Sequence, residues 1–389
     1  MHLFILSAKN MHSYTLVYNL VNTYGIDSTK LKFIFYDAQS ENDLESNLGN
    51  FNILFADDLT NPDIYRDIQT VTITSLHSFN AKVIYDLIHL KLITYNQLII
   101  RITDDEVERW HNLYQANGRL TVDNKSLVDK YTLDILAKVS KFICLYDPWG
   151  RLLEETLGRR LTIYNINMIT NKYLNNNIQD CFKNEISTSI LRQLQLQNTV
   201  RILVFTKPKP FELFQEGILP DLKNFILNNS ESLNSRTLEI AFFAPLGVRV
   251  IPKLFSTILV LNMLARYKKV RLKTTLLNDM PREVYFSYLY STHIIIAQDR
   301  GGLGGIYEAA VGGSLIVVKK DSLNSNVLSN LDGLKYIEYD NKVGPISESI
   351  QLLSDRRFED LKKELSEKME VTLKENLGKS NETFSLIYS

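Results

Sequence analysis

Two kinds of hydrophobic pattern alternate along this chain. Short, nearly continuous apolar runs rich in β-branched and aromatic residues are separated by longer stretches with apolar positions at helical spacing. "HLFILS" (His2–Ser7) reads as a buried strand, and "MHSYTLVYNLVNTYG" reads as a helix that ends at Gly25. "LKFIFYD", "FNILFAD", "TVTITS", "QLIIRIT", "KFICLYD" and "LTIYNI" repeat the strand signal. Thr103 and Glu106 in "TDDEVERW" form a capping-box pattern, in which hydroxyl and carboxylate each close an amide at a helix start. A second series begins at "VRILVFT" and continues through "LEIAFFAP", "VRLKTTL", "HIIIAQD", "SLIVVKK" and "KYIEYD". A charged amphipathic helix is predicted from Ser347 to about Leu377.

Continuous apolar strands that alternate with helices predict parallel sheets covered on both faces. The polar, Asn-rich stretch from Asn171 to Gln197 breaks the pattern. The expected organisation is therefore two α/β halves: a first domain over 1–175, a linker over 176–199 and a second domain over 200–389 that carries the terminal helix. Ligands of such open sheets bind beyond the carboxyl ends of the strands, and two halves in tandem suit a cleft between them.

Composition narrows the function classes. Lys plus Arg number 44 and Asp plus Glu number 44, so no overall field draws the chain to nucleic acid. The only cysteines are Cys144 and Cys181; they make no disulfide framework or metal set, and Cys144 in "FICLY" is expected to be buried. The opening apolar run is too short for a secretory signal, and no run reaches the ~20 residues of a membrane span, so a cytoplasmic setting is expected. No nucleophile elbow, P-loop or zinc-binding H-E-x-x-H is present.

The most informative stretch is "DRGGLGGIYEAAVGGSLIVVKK", Asp299 to Lys320, with six glycines between Asp299 and Gly313. A strand ends at "HIIIAQD", "RGGLGG" turns, "IYEAAVGG" makes about two turns of helix, and "SLIVVKK" is the next strand. Glycines permit a tight turn and close approach to the backbone, and the helix start behind them favours a phosphate. The same turn would also serve packing alone. Gly302 and Gly304 supply G-x-G, but Tyr307 stands where a dinucleotide fingerprint needs its third glycine.

Glu308-Ala309, Gly313 and the strand "SLIVV" fall in register with the donor-binding motif of GT-B glycosyltransferases, which the segment resembles. The resemblance covers roughly Val200 to Asp340 and implies two Rossmann-like domains facing a cleft. It also implies that Glu308 binds the nucleotide ribose, with Arg300, Gly301, Gly302, Gly304 and Gly305 around the donor. Many retaining members have an acid eight residues before the glutamate; here that position is Arg300, between Asp299 and Gly301. Lys207 and Lys209 follow the first strand of the second half, where a basic pair in the family neutralises the donor pyrophosphate; the alternative is two solvated lysines in a Pro-rich loop.

An inverting transfer needs a base to take the acceptor proton. Candidates at strand ends of the first half are His12, Asp57 and Asp104; Asp58 and Asp105 are their neighbours. Asp104 also suits the first turn of a helix for electrostatic reasons alone. Trp149 in "YDPWG" either stacks on a sugar or packs. The resemblance implies a metal-independent glycosyltransferase without cofactor that acts in bacterial surface-glycan assembly. Its expected partners are a nucleotide-sugar donor and a glycan, lipid-linked or protein acceptor, with peripheral association at the inner membrane face. A nucleotide-sugar epimerase and a non-catalytic scaffold for a partner transferase are the alternatives.

Overall fold

The computed structural model describes residues 1–44, 48, 51–103, 106–145, 147–166, 198–206, 208–228, 236–243, 250–277, 282–299, 302–329, 336–339 and 357–389. Packing divides the described residues into two units: 1–166 with Asn376–Ser389, and 198–375. The polar segment proposed as a linker lies almost wholly outside the described residues.

The first unit holds seven strands: β1 (His2–Leu6), β2 (Leu31–Phe35), β3 (Ile53–Phe55), β4 (Thr70–Thr74), β5 (Leu98–Arg101), β6 (Lys141–Cys144) and β7 (Thr162–Asn165). Its helices are α1 (Met11–Tyr18), α2 (Ala81–His89), α3 (Glu106–Asn117), α4 (Lys130–Lys138) and α5 (Asp147–Leu157). The strand order is β3-β2-β1-β4-β5-β6-β7, and every pairing is parallel. All five residues of β1 are buried, which explains why it reads as an unbroken apolar run. Cys144 is buried, as its apolar run predicts.

The second unit holds β8 (Thr199–Phe205), β9 (Thr237–Phe243), β10 (Arg271–Leu277), β11 (Ile294–Ile296), β12 (Leu315–Lys319) and β13 (Tyr336–Tyr339). Its helices are α6 (Pro208–Leu213), α7 (Leu219–Asn228), α8 (Ile251–Tyr267), α9 (Arg282–Ser291), α10 (Leu303–Val311) and α11 (Leu323–Leu328). The order β10-β9-β8-β11-β12-β13 is again all parallel. Phe211, Phe214 and Phe242 pack with Ile202, Val204 and Leu261 in one buried cluster. Fully burying such a side chain contributes roughly 1.5–3 kcal/mol.

The terminal helix α12 (Arg357–Tyr388) runs past Leu377, where its sequence pattern predicts an end; positions 347–356 of the predicted span lie outside the described residues. Its last turns from Asn376 belong to the first unit, where Tyr388 is buried and its hydroxyl lies 2.8 Å from Thr72 Oγ1. Among the described residues, no helix is long and apolar enough to cross a membrane.

Trp149 resolves to packing. It sits in the first turn of α5 and is 1% exposed, and its indole N–H donates to Glu108, so its ring is covered by protein rather than offered to a sugar.

Candidate functional site

Both sheets reverse direction next to their first strand. In the second unit β9 and β10 extend to one side of β8, and β11, β12 and β13 to the other. The loops after β8 and β11 therefore diverge at a topological switch point, where open parallel sheets open a crevice for ligands. The glycine-rich turn follows β11 and leads directly into α10 at that point.

The first turn of α10 has an unusual construction. Its N-cap is Gly302, at φ 65°, a residue with no side chain of its own to cap the helix. The left-handed backbone favours glycine there, and an added Cβ would meet the Gln298 side-chain amide at 2.0 Å, so that side chain would have to move aside. Polar side chains normally close these first amides. A glycine cap instead leaves the positive end of the helix to whatever anion approaches it.

The turn and helix are held firmly from behind. Asn324 is fully buried; its side-chain amide donates to Gln298 O at 2.6 Å, and its backbone N–H donates to Asp299 O at 3.0 Å. Helix α9 packs so closely on α10 that a Cβ on Gly312 would meet the Tyr290 backbone at 2.7 Å, and one on Gly305 would meet the Tyr285 hydroxyl at 2.5 Å. The Tyr290 hydroxyl donates to Glu308 Oε2, and Glu308 itself is buried. Burial, with the Glu308 charge adding to it, raises the Tyr290 phenol far above its ordinary range and pushes Tyr285 up to about 12. Both tyrosines therefore stay protonated, and Tyr290 remains a donor to the carboxylate at any physiological pH.

Helix α9 is anchored in turn by a buried ion pair beneath it. Arg201 and Glu239, both almost fully buried, meet at 2.7 Å, and Arg201 Nη1 donates to Ser291 Oγ at 2.6 Å. Burial pushes the Glu239 carboxyl up, but the Thr275 hydroxyl, Arg201 and Lys273 outweigh it and hold the group below its ordinary range. On the same side, Lys362 of α12 donates to Thr292 O at 2.9 Å, and His293 lies 3.3 Å from Glu359. Burial lowers Lys362 to about 8, against the opposing pull of Glu359. Gly313, at φ 77°, lies against the Lys362 carbonyl, which an added Cβ would meet at 2.0 Å.

In the first unit the switch point lies between β1 and β4. The loop after β1 is pinned by Asp37, which accepts from Ser7 Oγ and from the Ala8 amide, each at 2.6 Å. Asn10 then caps α1 by accepting from the His12 amide at 3.0 Å. His12 is exposed in that first turn. Asp57 is also exposed, but it follows β3, the edge strand two positions away from β1.

Asp104, Lys207, Arg300 and Gly301 lie outside the described residues; Lys209 falls within α6. Gly302, Gly304, Gly305 and Glu308 are brought together on one turn and one helix. Sequence reasoning passed over Tyr285, Tyr290, Gln298 and Asn324, whose importance depends on which helices pack together. It also passed over His77, which follows β4 beside the first switch point. Burial holds this imidazole below its ordinary range, against the opposing charge of Glu106, so it is neutral at neutral pH. Among the described residues, no group of three or more His, Cys, Asp or Glu is placed to hold a metal ion.

No protein-family model matches the sequence, and no curated protein matches it. Solved structures do match, across the whole chain. The α,α-trehalose 6-phosphate synthase of Burkholderia multivorans superposes with a TM-score of 0.56 at 8% identity, covering 100% of this chain and 98% of its own. HepE of Anabaena, in complex with UDP and glucose, gives 0.55 at 11% identity, covering 99% and 98%. The UDP-forming α,α-trehalose-phosphate synthase of Burkholderia vietnamiensis gives 0.54 at 8%, covering 99% and 99%. The chain has the GT-B fold. The resemblance first seen in one glycine-rich segment therefore extends, as architecture, over both sheets.

Proposed function

We propose that this protein is a glycosyltransferase that moves a sugar from a nucleoside-diphosphate donor to an acceptor hydroxyl. The observation that carries this reading is the first turn of α10. A glycine-capped helix start at the switch point of a GT-B sheet stands nearly two turns ahead of a buried, oriented carboxylate. The helix start suits the pyrophosphate, and Glu308 suits the ribose hydroxyls. Structural relatives include HepE with bound UDP and glucose and a UDP-forming synthase, which supports a uridine diphosphate sugar as the first donor to test.

In the reaction the acceptor oxygen bonds to the anomeric carbon as the bond from that carbon to the diphosphate oxygen breaks. The leaving nucleoside diphosphate gains negative charge, which the α10 amides, with Lys207, Lys209 and Arg300 as the proposed cations, stabilise. The acceptor proton passes to a base of the first unit, which we read as the acceptor-side domain. Of the sequence candidates His12, Asp57 and Asp104, His12 has the support of position, on the loop and helix that leave β1 at the switch point. Neutral His77 joins it as a candidate at the end of β4. Surface-glycan assembly on the cytoplasmic side of a membrane is the proposed setting.

The test is turnover of a nucleotide-sugar panel with and without acceptors. Acceptor-dependent release of nucleoside diphosphate is expected. Acceptor-independent epimerisation, or the absence of both binding and turnover, would overturn the proposal.

A further inference from the structure

Half of the twelve large apolar side chains exposed among the described residues fall on one surface of the second unit. Phe255 (58% exposed), Leu259 (62%), Met263 (63%) and Tyr267 (78%) recur every four residues along the outer face of α8, with Val260 beside them. Leu276 of the edge strand β10 adds to the same face, next to where Asn262 meets Thr274 at 3.5 Å. The stripe runs for about 18 Å, at 1.5 Å per residue. The opposite face of α8 buries Leu254, Leu261 and Ala265 in the core, so the outer apolar face is surplus to folding. Contiguous exposed apolar surface of this kind marks an interaction site.

The charge around the stripe is one-sided. Between Glu239 and Asp279 the sequence has no acidic residue and seven basic ones. Lys253 lies near the start of α8, while Arg266, Lys268 and Lys269 cluster at its end. None of these four forms an ion pair among the described residues, and Lys268 sits 5.7 Å from the Tyr267 ring centroid. An apolar ridge with an amphipathic aromatic at one end and a cluster of cations around it has the chemistry of a helix lying in a lipid headgroup layer.

We propose that the outer face of α8, with the adjoining end of β10, docks on an anionic bilayer surface. Two other occupants fit less well. A second copy meeting this face about a two-fold axis would set basic rim against basic rim, which like-charge repulsion opposes. A helical peptide is normally seated in a groove, whereas the exposed face of a single helix is a ridge. In a bilayer, Lys and Arg extend to the phosphates while their stems and the apolar residues lie below. The inference stands on this surface and does not depend on the donor-site reading.

The experiment is flotation of the full chain with phosphatidylcholine vesicles, with and without phosphatidylglycerol. The chain should bind the anionic vesicles, and added salt should weaken binding. The double variant Leu259→Glu/Met263→Glu should weaken binding by roughly tenfold or more, because it removes apolar contact and adds repulsion. A second variant, Lys268→Glu/Lys269→Glu, should also lose binding. These side chains are solvent-facing, so the far-UV spectrum and melting temperature should hold in both. Absence of binding, equal binding to neutral vesicles, or full binding by the Leu259→Glu/Met263→Glu variant would overturn the proposal. So would a wild-type dimer in sedimentation that this variant dissolves, since a second copy would then cover the face.

Discussion

The two sheets share one order over six strands, to which the first adds β7, and they use it differently. Helix α1, which leaves the first sheet after β1, is closed by its own side chain: Asn10 satisfies the His12 amide. Helix α10, which leaves the second sheet after β11, begins at a left-handed glycine, which has no side chain of its own to cap it. The opposite, amino-end edges of the sheets also differ. Around β1 the rings of Phe4, Phe33 and Tyr388 pack together with neutral hydrogen bonds between Tyr388 and Thr72 and between His2 and Thr70, whereas around β8 an ion pair of Arg201 and Glu239 is buried with its hydrogen-bonding neighbours. The first arrangement spends polar groups on closing local structure. The second starts its helix at a glycine and fixes the supporting helix α9 from below with a buried ion pair.

The sharpest way to break this comparison is to remove one partner of that pair. Arg201→Met leaves Glu239 buried without its guanidinium and should cost about 3–5 kcal/mol in urea unfolding. The double variant Arg201→Met/Glu239→Leu should recover much of that loss, since no charge is then stranded. Glycines give a second contrast. Gly313 and Gly25 both have positive φ, but Gly313 lies against the Lys362 carbonyl whereas nothing lies within 4 Å of Gly25. Gly313→Ala should cost about 2–5 kcal/mol from backbone strain plus crowding, and Gly25→Ala about 1–2 kcal/mol from strain alone. Similar losses at the two sites, read from denaturant midpoints, would remove the claimed crowding.

Next in size is a pH effect carried by the second unit. Lys362 falls from its ordinary 10.5 to about 8 in the folded chain, chiefly through burial. Between those values the unfolded chain binds more protons than the folded one, so stability should rise with pH across the window. The rise should reach up to about 3 kcal/mol, and Lys362→Met should flatten it. Unfolding measured just below pH 8 and near pH 10.5 checks both the sign and the slope. Smallest is the cap of the first sheet: Asn10→Ala should cost about 1 kcal/mol while leaving nucleotide affinity unchanged.

The sequence pattern revealed the strands well, because a buried parallel strand such as "HLFILS" or "HIIIAQD" is apolar on both faces and reads as a continuous run. It also placed the glycine turn and Glu308 on one loop and helix, since those residues are local to each other. The groups that hold Glu308 were not legible. Tyr290 lies eighteen residues earlier, and only the close packing of α9 on α10, permitted by Gly305 and Gly312, brings its hydroxyl to the carboxylate. Trp149 shows the same limit: local sequence left stacking on a sugar and packing both open, and Glu108 on a neighbouring helix settles it as core. Local spacing carries topology, whereas side-chain partners drawn from distant elements depend on packing.

The central claim is that the α10 start with Glu308 is a nucleotide site, and titration calorimetry of UDP into the wild type and Glu308→Ala tests it most directly. The account predicts that the wild type binds and that the variant keeps its fold. It also predicts an affinity loss of roughly 1.5–3 kcal/mol, about one to two decades, from the missing hydrogen bonds to the ribose. Unchanged nucleotide affinity together with a lowered melting temperature would contradict it, reducing Glu308 to the partner that ties α10 to Tyr290.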